Sequence, residues 1–244
     1  MVSMFFTIPR LPGPEPAPGC PGLNEQTLAA LRQMTKKYTG RAYLHVPFNK
    51  VRFVIIDIET TGFEADNGDE VISLAAVVVQ GDTICLQSSL NHLVNPFRPI
   101  PDSISELTGI HDGMVKGRPS VYQAIKEFLN LLGDGVIAGH ALGFDIGFLN
   151  YKLSQYKAGK INSIIFDTKA VARYLYPVLS DYSLDNLLNQ YKIRPVGRHS
   201  ALGDCLLTAE VFLLQLVELQ RRRINNLNQL YEQFEQQTKG SCFF

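Results

Sequence analysis

The sequence predicts an α/β fold on a five-stranded mixed sheet, antiparallel at first and parallel later, with helices on both faces. Three observations carry this reading. A β-branched, apolar run from Val51 to Glu59 is followed by Val71 to Val79 and Thr83 to Val94, the last two joined through Gln80-Gly81-Asp82, a short hairpin signal. Beyond Pro119, short apolar strands alternate with helical patterns, as parallel strands with crossovers do. The chain has 244 residues, which suits one domain of generous size or one domain with terminal extensions.

Six of the 13 prolines lie between Pro9 and Pro21, so an extended N-terminal strap is expected. From Asn24, a favourable N-cap residue, a helix places Leu28, Leu31, Met34 and Tyr38 near one face, and Gly40 ends it. The first strand stays apolar until it meets Asp57 and Glu59, and stops at Thr60-Thr61-Gly62. After the hairpin, Pro119 opens a helix through Leu132, Gly135 to Gly139 is a short buried strand, and Phe144 to Tyr156 is helical. Ile164-Ile165-Phe166 supplies a fifth strand, ahead of helices at about 168–176 and 183–190. At the far end Leu213, Val217, Gln220, Ile224, Leu227, Tyr231 and Phe234 are spaced alternately four and three apart, the narrow seam of a continuing helix. The expected division is a strap plus helix over 1–50, a main domain over 51–216 and a helical extension over 217–244.

Lys plus Arg and Asp plus Glu are both 23, so no global field holds nucleic acid or an anionic membrane. Any nucleic-acid contact must be local. No apolar run approaches the roughly 18 residues of a membrane span, and the start meets proline before any adequate signal-type core, so a cytoplasmic protein without membrane association is expected. Cys20, Cys85, Cys205 and Cys242 have no C-x-x-C spacing and read as reduced thiols. Neither a phosphate-cradling G-x-x-x-x-G-K-[ST] nor a nucleophilic G-x-S-x-G is present.

Asp57 and Glu59 stand two apart on a strand, so both side chains project from one face. Two such carboxylates repel unless a cation sits between them, and paired oxygens at close range are what a hard divalent ion requires. A solvated strand end is the plainer alternative. Asp145 follows a short strand in Gly139-His-Ala-Leu-Gly-Phe-Asp145 and falls in the first turn of a helix, where an acid also complements the helix dipole. His199 and Asp204 are five apart, with Ser200 as an N-cap, so the histidine sits on a capping loop that can reach a substrate and Asp204 lies in the first turns of the helix. A lone histidine there is otherwise an ordinary surface or capping residue.

The ordered set DIETTGF, GHALGFD and H-x-x-x-x-D resembles the DEDDh 3′-to-5′ exonucleases of the ribonuclease-H-like superfold, most of all the proofreading epsilon group of bacterial DNA polymerase III. The resemblance spans roughly Phe53 to Leu216 and includes all five signature residues, Asp57, Glu59, Asp145, His199 and Asp204. It implies hydrolysis of DNA from the 3′ end with two divalent ions, and the all-carboxylate donor set favours Mg²⁺ or Mn²⁺ over Zn²⁺. It further implies that Asp57 is shared by both ions, that Glu59 and Asp204 complete one, that Asp145 serves the other, and that His199 is the general base. The Thr60-Thr61-Gly62-Phe63 turn would meet the 3′-terminal nucleotide through amides and hydroxyls, with Phe63 and Phe144 as stacking faces and His140 as a substrate contact or a buried, hydrogen-bonded residue. One position departs: the family often has asparagine after the second-motif histidine, and here it is Ala141. Expected partners are single-stranded DNA 3′ ends, or RNA with the same chemistry. The C-terminal seam would cover the N-terminal helix and strap, a second copy, or a polymerase subunit; a non-catalytic, polymerase-associated binding module is the reading from another class.

Overall fold

The computed structural model describes residues 23–37 and 39–240. β1 (Arg52–Thr60), β2 (Val71–Gln80) and β3 (Thr83–Leu93) form an antiparallel meander, and β4 (Val136–Gly139) and β5 (Ile165–Asp167) add in parallel, giving one five-stranded sheet in the order β3-β2-β1-β4-β5. Nine helices are described: α1 (Glu25–Lys37), α2 (Asp102–Thr108), α3 (Asp112–Val115), α4 (Val121–Leu132), α5 (Gly143–Gln155), α6 (Thr168–Leu175), α7 (Leu184–Tyr191), α8 (Ala201–Arg221) and α9 (Leu227–Gly240). The mixed sheet is the expected one, and each of its five strands lies within two residues of where the pattern puts it.

β1 is central and buried on both faces, which is why it reads as a near-continuous apolar run. Val54, Ile56 and Ile58 pack into one core with residues of α1, α4 and α5, while Phe53 and Ile55 pack into a second core with α6, α8 and α9. Period-two alternation then sends Asp57 and Glu59 out on the Phe53 and Ile55 face, toward α8. The rings of Phe53, Phe166 and Phe212 meet edge-on there, with centroids 4.7–5.9 Å apart.

At the N-terminal side Asn24 does cap α1, its Oδ1 accepting from the Thr27 amide at 2.8 Å. Tyr38 and the proline-rich strap lie outside the described residues. The helix expected at Pro119 begins two residues later, with Ser120 as its N-cap residue. α2 and α3 were not anticipated; at 7 and 4 residues they are too short to display a helical period.

The C-terminal seam differs from expectation. α8 stops at Arg221, and the chain turns through Arg223, which takes φ 63°. Asn226 Oδ1 then accepts from the Gln229 amide at 2.9 Å, while Gln229 Oε1 accepts from the Asn225 amide at 2.7 Å, a reciprocal cap that starts α9. On α8 the buried face is Cys205, Phe212, Leu216 and Leu219, whereas Val217 and Gln220 face solvent. Ile224, Leu227 and Leu230 are buried against the main core, the Asn228 amide donates to Leu44 O at 2.9 Å, and Phe234 meets Tyr174 edge-on. Among the described residues α9 therefore covers β5 and the 43–48 segment, with α1 on the opposite core. Cys85 and Cys205 are free thiols; Cys20 and Cys242 lie outside the described residues. Among the described residues no helix is long and apolar enough to cross a membrane.

Candidate active site

β1 outruns its neighbour. Its pairing with β4 ends at Ile55, so the last turn of β1 lies beside a gap at the end of the sheet. α8 crosses the same face, and Cys205 Sγ sits 3.4 Å from Ala75 O, seating the first turns of α8 against the strands. Asp57, Glu59 and Asp204 consequently converge, each offering a carboxylate oxygen within 4.8 Å of the others. Asp204 Oδ1 is buried and without a hydrogen-bond partner, a costly condition for a carboxylate in a protein interior. Three close carboxylates, one with an orphaned oxygen, fit a hard divalent cation.

Asp145 closes the gap from α5. The Ile58 amide donates to its Oδ1 at 3.0 Å, a bond that β4 would have made had it continued. The turn that delivers Asp145 is held by Asp167, whose two oxygens accept from the Ala141 and Leu142 amides at 3.1 and 3.0 Å while also capping α6. Burial raises the Asp57 carboxyl well above its ordinary range, and Asp145, Glu59 and Asp204 push the same way. Burial and the Asp204 charge take Glu59 to about 7, and burial takes Asp145 to about 7 despite its backbone hydrogen bonds. The site is short of positive charge.

Thr60 and Thr61 are buried and spend their hydroxyl protons on the protein: Thr60 Oγ1 donates to Gly62 O at 2.6 Å, and Thr61 Oγ1 donates to Asp69 Oδ1 at 2.9 Å while accepting from the Glu70 amide. Those hydroxyls serve the turn first. Gly62 has a steric reason to be glycine, since a Cβ there would lie 2.3 Å from the Asp69 carboxylate. Phe63 is 83% exposed and meets the half-exposed Phe144 at 5.9 Å, so the two rings form an aromatic ledge. His140 bonds through Nδ1 to Thr168 Oγ1 at 2.9 Å, and burial lowers its pKa to about 4, leaving it neutral. His199 is exposed, in left-handed conformation at φ 62°, directly before the Ser200 N-cap. The sequence reading missed Arg198, which donates through Nη1 to Asp204 Oδ2 and through Nε and Nη2 to Asp185 at 2.6 and 3.0 Å. Its only sequence signal is adjacency to His199.

A family model described as "Exonuclease" (RNase_T) matches residues 54–212, which takes in all five signature residues. The chain belongs to the exonuclease family. Among its relatives, the DNA polymerase III subunit epsilon of Aquifex aeolicus is 40% identical over 167 residues, covering 68% of this chain and 81% of that protein. The PolC-type DNA polymerase III of Halalkalibacterium halodurans is 33% identical over 203 residues, which are 81% of this chain and only 14% of that one. Exonuclease X in complex with 5′ overhanging duplex DNA superposes with TM-score 0.56 at 26% identity, covering 68% of this chain and 92% of the other. The nuclease domain of 3′hExo, a DEDDh family member bound to rAMP, shares the fold with TM-score 0.61 at 20% identity, over 71% of this chain and 94% of the other. The chain is thus a 3′-to-5′ exonuclease, similar to the epsilon subunit.

Proposed function

We propose that this exonuclease removes nucleotides from the 3′ ends of DNA strands with two divalent ions, Mg²⁺ or Mn²⁺, releasing nucleoside 5′-monophosphates in a cytoplasmic proofreading or repair role. The observation that carries the reading is the convergence of Asp57, Glu59 and Asp204 within 4.8 Å, with Asp145 beside them. DNA is favoured because the epsilon relative belongs to a DNA polymerase and Exonuclease X was captured on DNA. A polymerase subunit is the partner class that the same likeness supports.

Asp57, Glu59 and Asp204 would hold one ion, and Asp57 together with Asp145 the other. When bound, the ions activate water and neutralise charge on the phosphoryl and departing 3′ oxygens. His199 takes the proton of the attacking water, a task suited to an imidazole near neutrality. Phe63 and Phe144 stack on the terminal base, and the backbone of the Thr60–Phe63 turn lies along its nucleotide. His140, kept neutral and bonded to Thr168, fits the second of its two readings, a buried, hydrogen-bonded residue.

A gel time course on 5′-labelled single-stranded DNA and its RNA counterpart, with Mn²⁺, Mg²⁺ or EDTA, tests this. A metal-dependent ladder shortening from the 3′ end of DNA, absent in Asp57→Ala, is expected. Faster loss of the RNA would make the chain an exoribonuclease. No ladder on either polymer would remove the catalytic reading in favour of a binding module.

A further inference from the structure

The loop that carries His199 is tightly built. Gly197 and His199 both take positive φ, 81° and 62°. For histidine this conformation is strained, and such strain persists only where the surroundings over-determine it. Ser200 Oγ donates to Gly197 O at 2.8 Å and accepts from the Gly203 amide at 3.2 Å. Gly203 itself makes room, since a Cβ there would lie 1.8 Å from Gly197 O. Between the two left-handed residues, Arg198 turns inward with its side chain 17% exposed.

Its guanidinium joins two helices. Nε and Nη2 take the two oxygens of Asp185, near the start of α7, at 2.6 and 3.0 Å, the fork geometry in which an arginine is held most rigidly. Nη1 takes Asp204 Oδ2 on α8, which leaves Oδ1 of the same carboxylate buried and unpartnered. The two oxygens of Asp204 are thereby given different tasks, as happens where an outer hydrogen bond orients a metal-binding carboxylate.

We propose that Asp185 and Arg198 form a positioning clamp that fixes the His199 imidazole and the Asp204 carboxylate together for the chemical step; the proposal rests on the exonuclease reading above. Neither residue of the clamp is a catalytic residue. Asp185 acts on Arg198, and Arg198 acts on its chain neighbour and on Asp204. Because the clamp orders groups for the transition state without holding nucleotide, its loss should fall on kcat and spare KM.

The test uses the full chain carrying Asp185→Asn or Arg198→Lys, each of which breaks the bidentate fork. The expected result is a fall in kcat of at least tenfold at saturating metal, KM for a short oligonucleotide within about twofold, and a clear displacement of the His199 imidazole resonance in NMR spectra. Asp185→Glu, which keeps the fork chemistry, should recover part of kcat. A kcat within twofold of the unmodified enzyme, or a parallel loss of kcat, KM and melting temperature with no recovery in Asp185→Glu, would overturn the clamp. If the unmodified chain degrades neither DNA nor RNA, the exonuclease reading fails separately. The His199 resonance then decides alone: unmoved in Asp185→Asn it overturns the clamp, and displaced it upholds the clamp's hold on the histidine.

Discussion

Ala141 occupies the left-handed region at φ 57° with its amide tied to Asp167, so the backbone there is not free to relax. A Cβ in that region costs roughly 1–2 kcal/mol, a cost asparagine partly escapes. The asparagine that the family resemblance leads one to expect here would therefore suit this backbone better than alanine does. Ala141→Asn is expected to gain about 0.5–1 kcal/mol, seen as a melting temperature about 1–4 °C higher; a lower one would refute the backbone argument. Asp57→Ala should abolish turnover, whereas His199→Ala should lose about 10²–10⁴-fold, the usual worth of a general base. Near-normal turnover in His199→Ala would remove the histidine from that role. Asp57 and Glu59 were legible in sequence because two-residue spacing on a strand is a local fact. Asp167, Asp185 and Arg198 were not, since what they do depends on which distant backbone or carboxylate the fold brings to them.

The element that frames the aromatic ledge is the segment between β1 and β2, and its anchor is on another element. Lys152 of α5 is only 1% exposed and pairs with Glu70 at 2.8 Å, while Glu70 keeps 29% of its side chain in solvent. That asymmetry sets a prediction. Glu70→Ala strands a buried ammonium, which costs about 3 kcal/mol or more, whereas Lys152→Met removes the buried charge, fills the same space and leaves Glu70 to water. Denaturant melts should therefore find Glu70→Ala clearly the less stable of the two, and the reverse order would mean that the pair does not anchor the segment. Elements with a long enough period were readable, which is why the five strands and α4 to α7 emerged from pattern alone. The 213–234 seam misled because its four-and-three spacing runs on past Arg221, where α8 stops and the chain turns through Arg223, and through Asn225-Asn226, whose cap to Gln229 starts α9 with Ile224 and Leu227 in the core. Periodicity registered the apolar residues and overlooked the side-chain cap that redirects them.

At the scale of the whole molecule, the carboxylate cluster makes folding itself sensitive to pH and to cations. Glu59 and Asp145 titrate at about 7 in the fold, against 4.5 and 3.8 as ordinary carboxyls, and Asp57 is raised as well. The folded chain therefore holds protons that the unfolded chain has released, and stability falls as pH rises from about 4 through about 7. In EDTA the melting temperature should drop between pH 5 and pH 8, by on the order of 10–20 °C from these groups together. Mn²⁺ should recover much of that loss at pH 8, because an ion bound only by the folded cluster adds stability by mass action. Asp57→Asn removes the charge most crowded by its neighbours, so in EDTA it should raise the melting temperature at pH 8 more than at pH 5. Melting scans of both proteins at the two pH values, with and without Mn²⁺, check all three. If the EDTA curves of the unmodified protein coincide at pH 5 and 8, the carboxylates are not held together in the folded protein as described, and the convergence on which the catalytic reading stands fails with them.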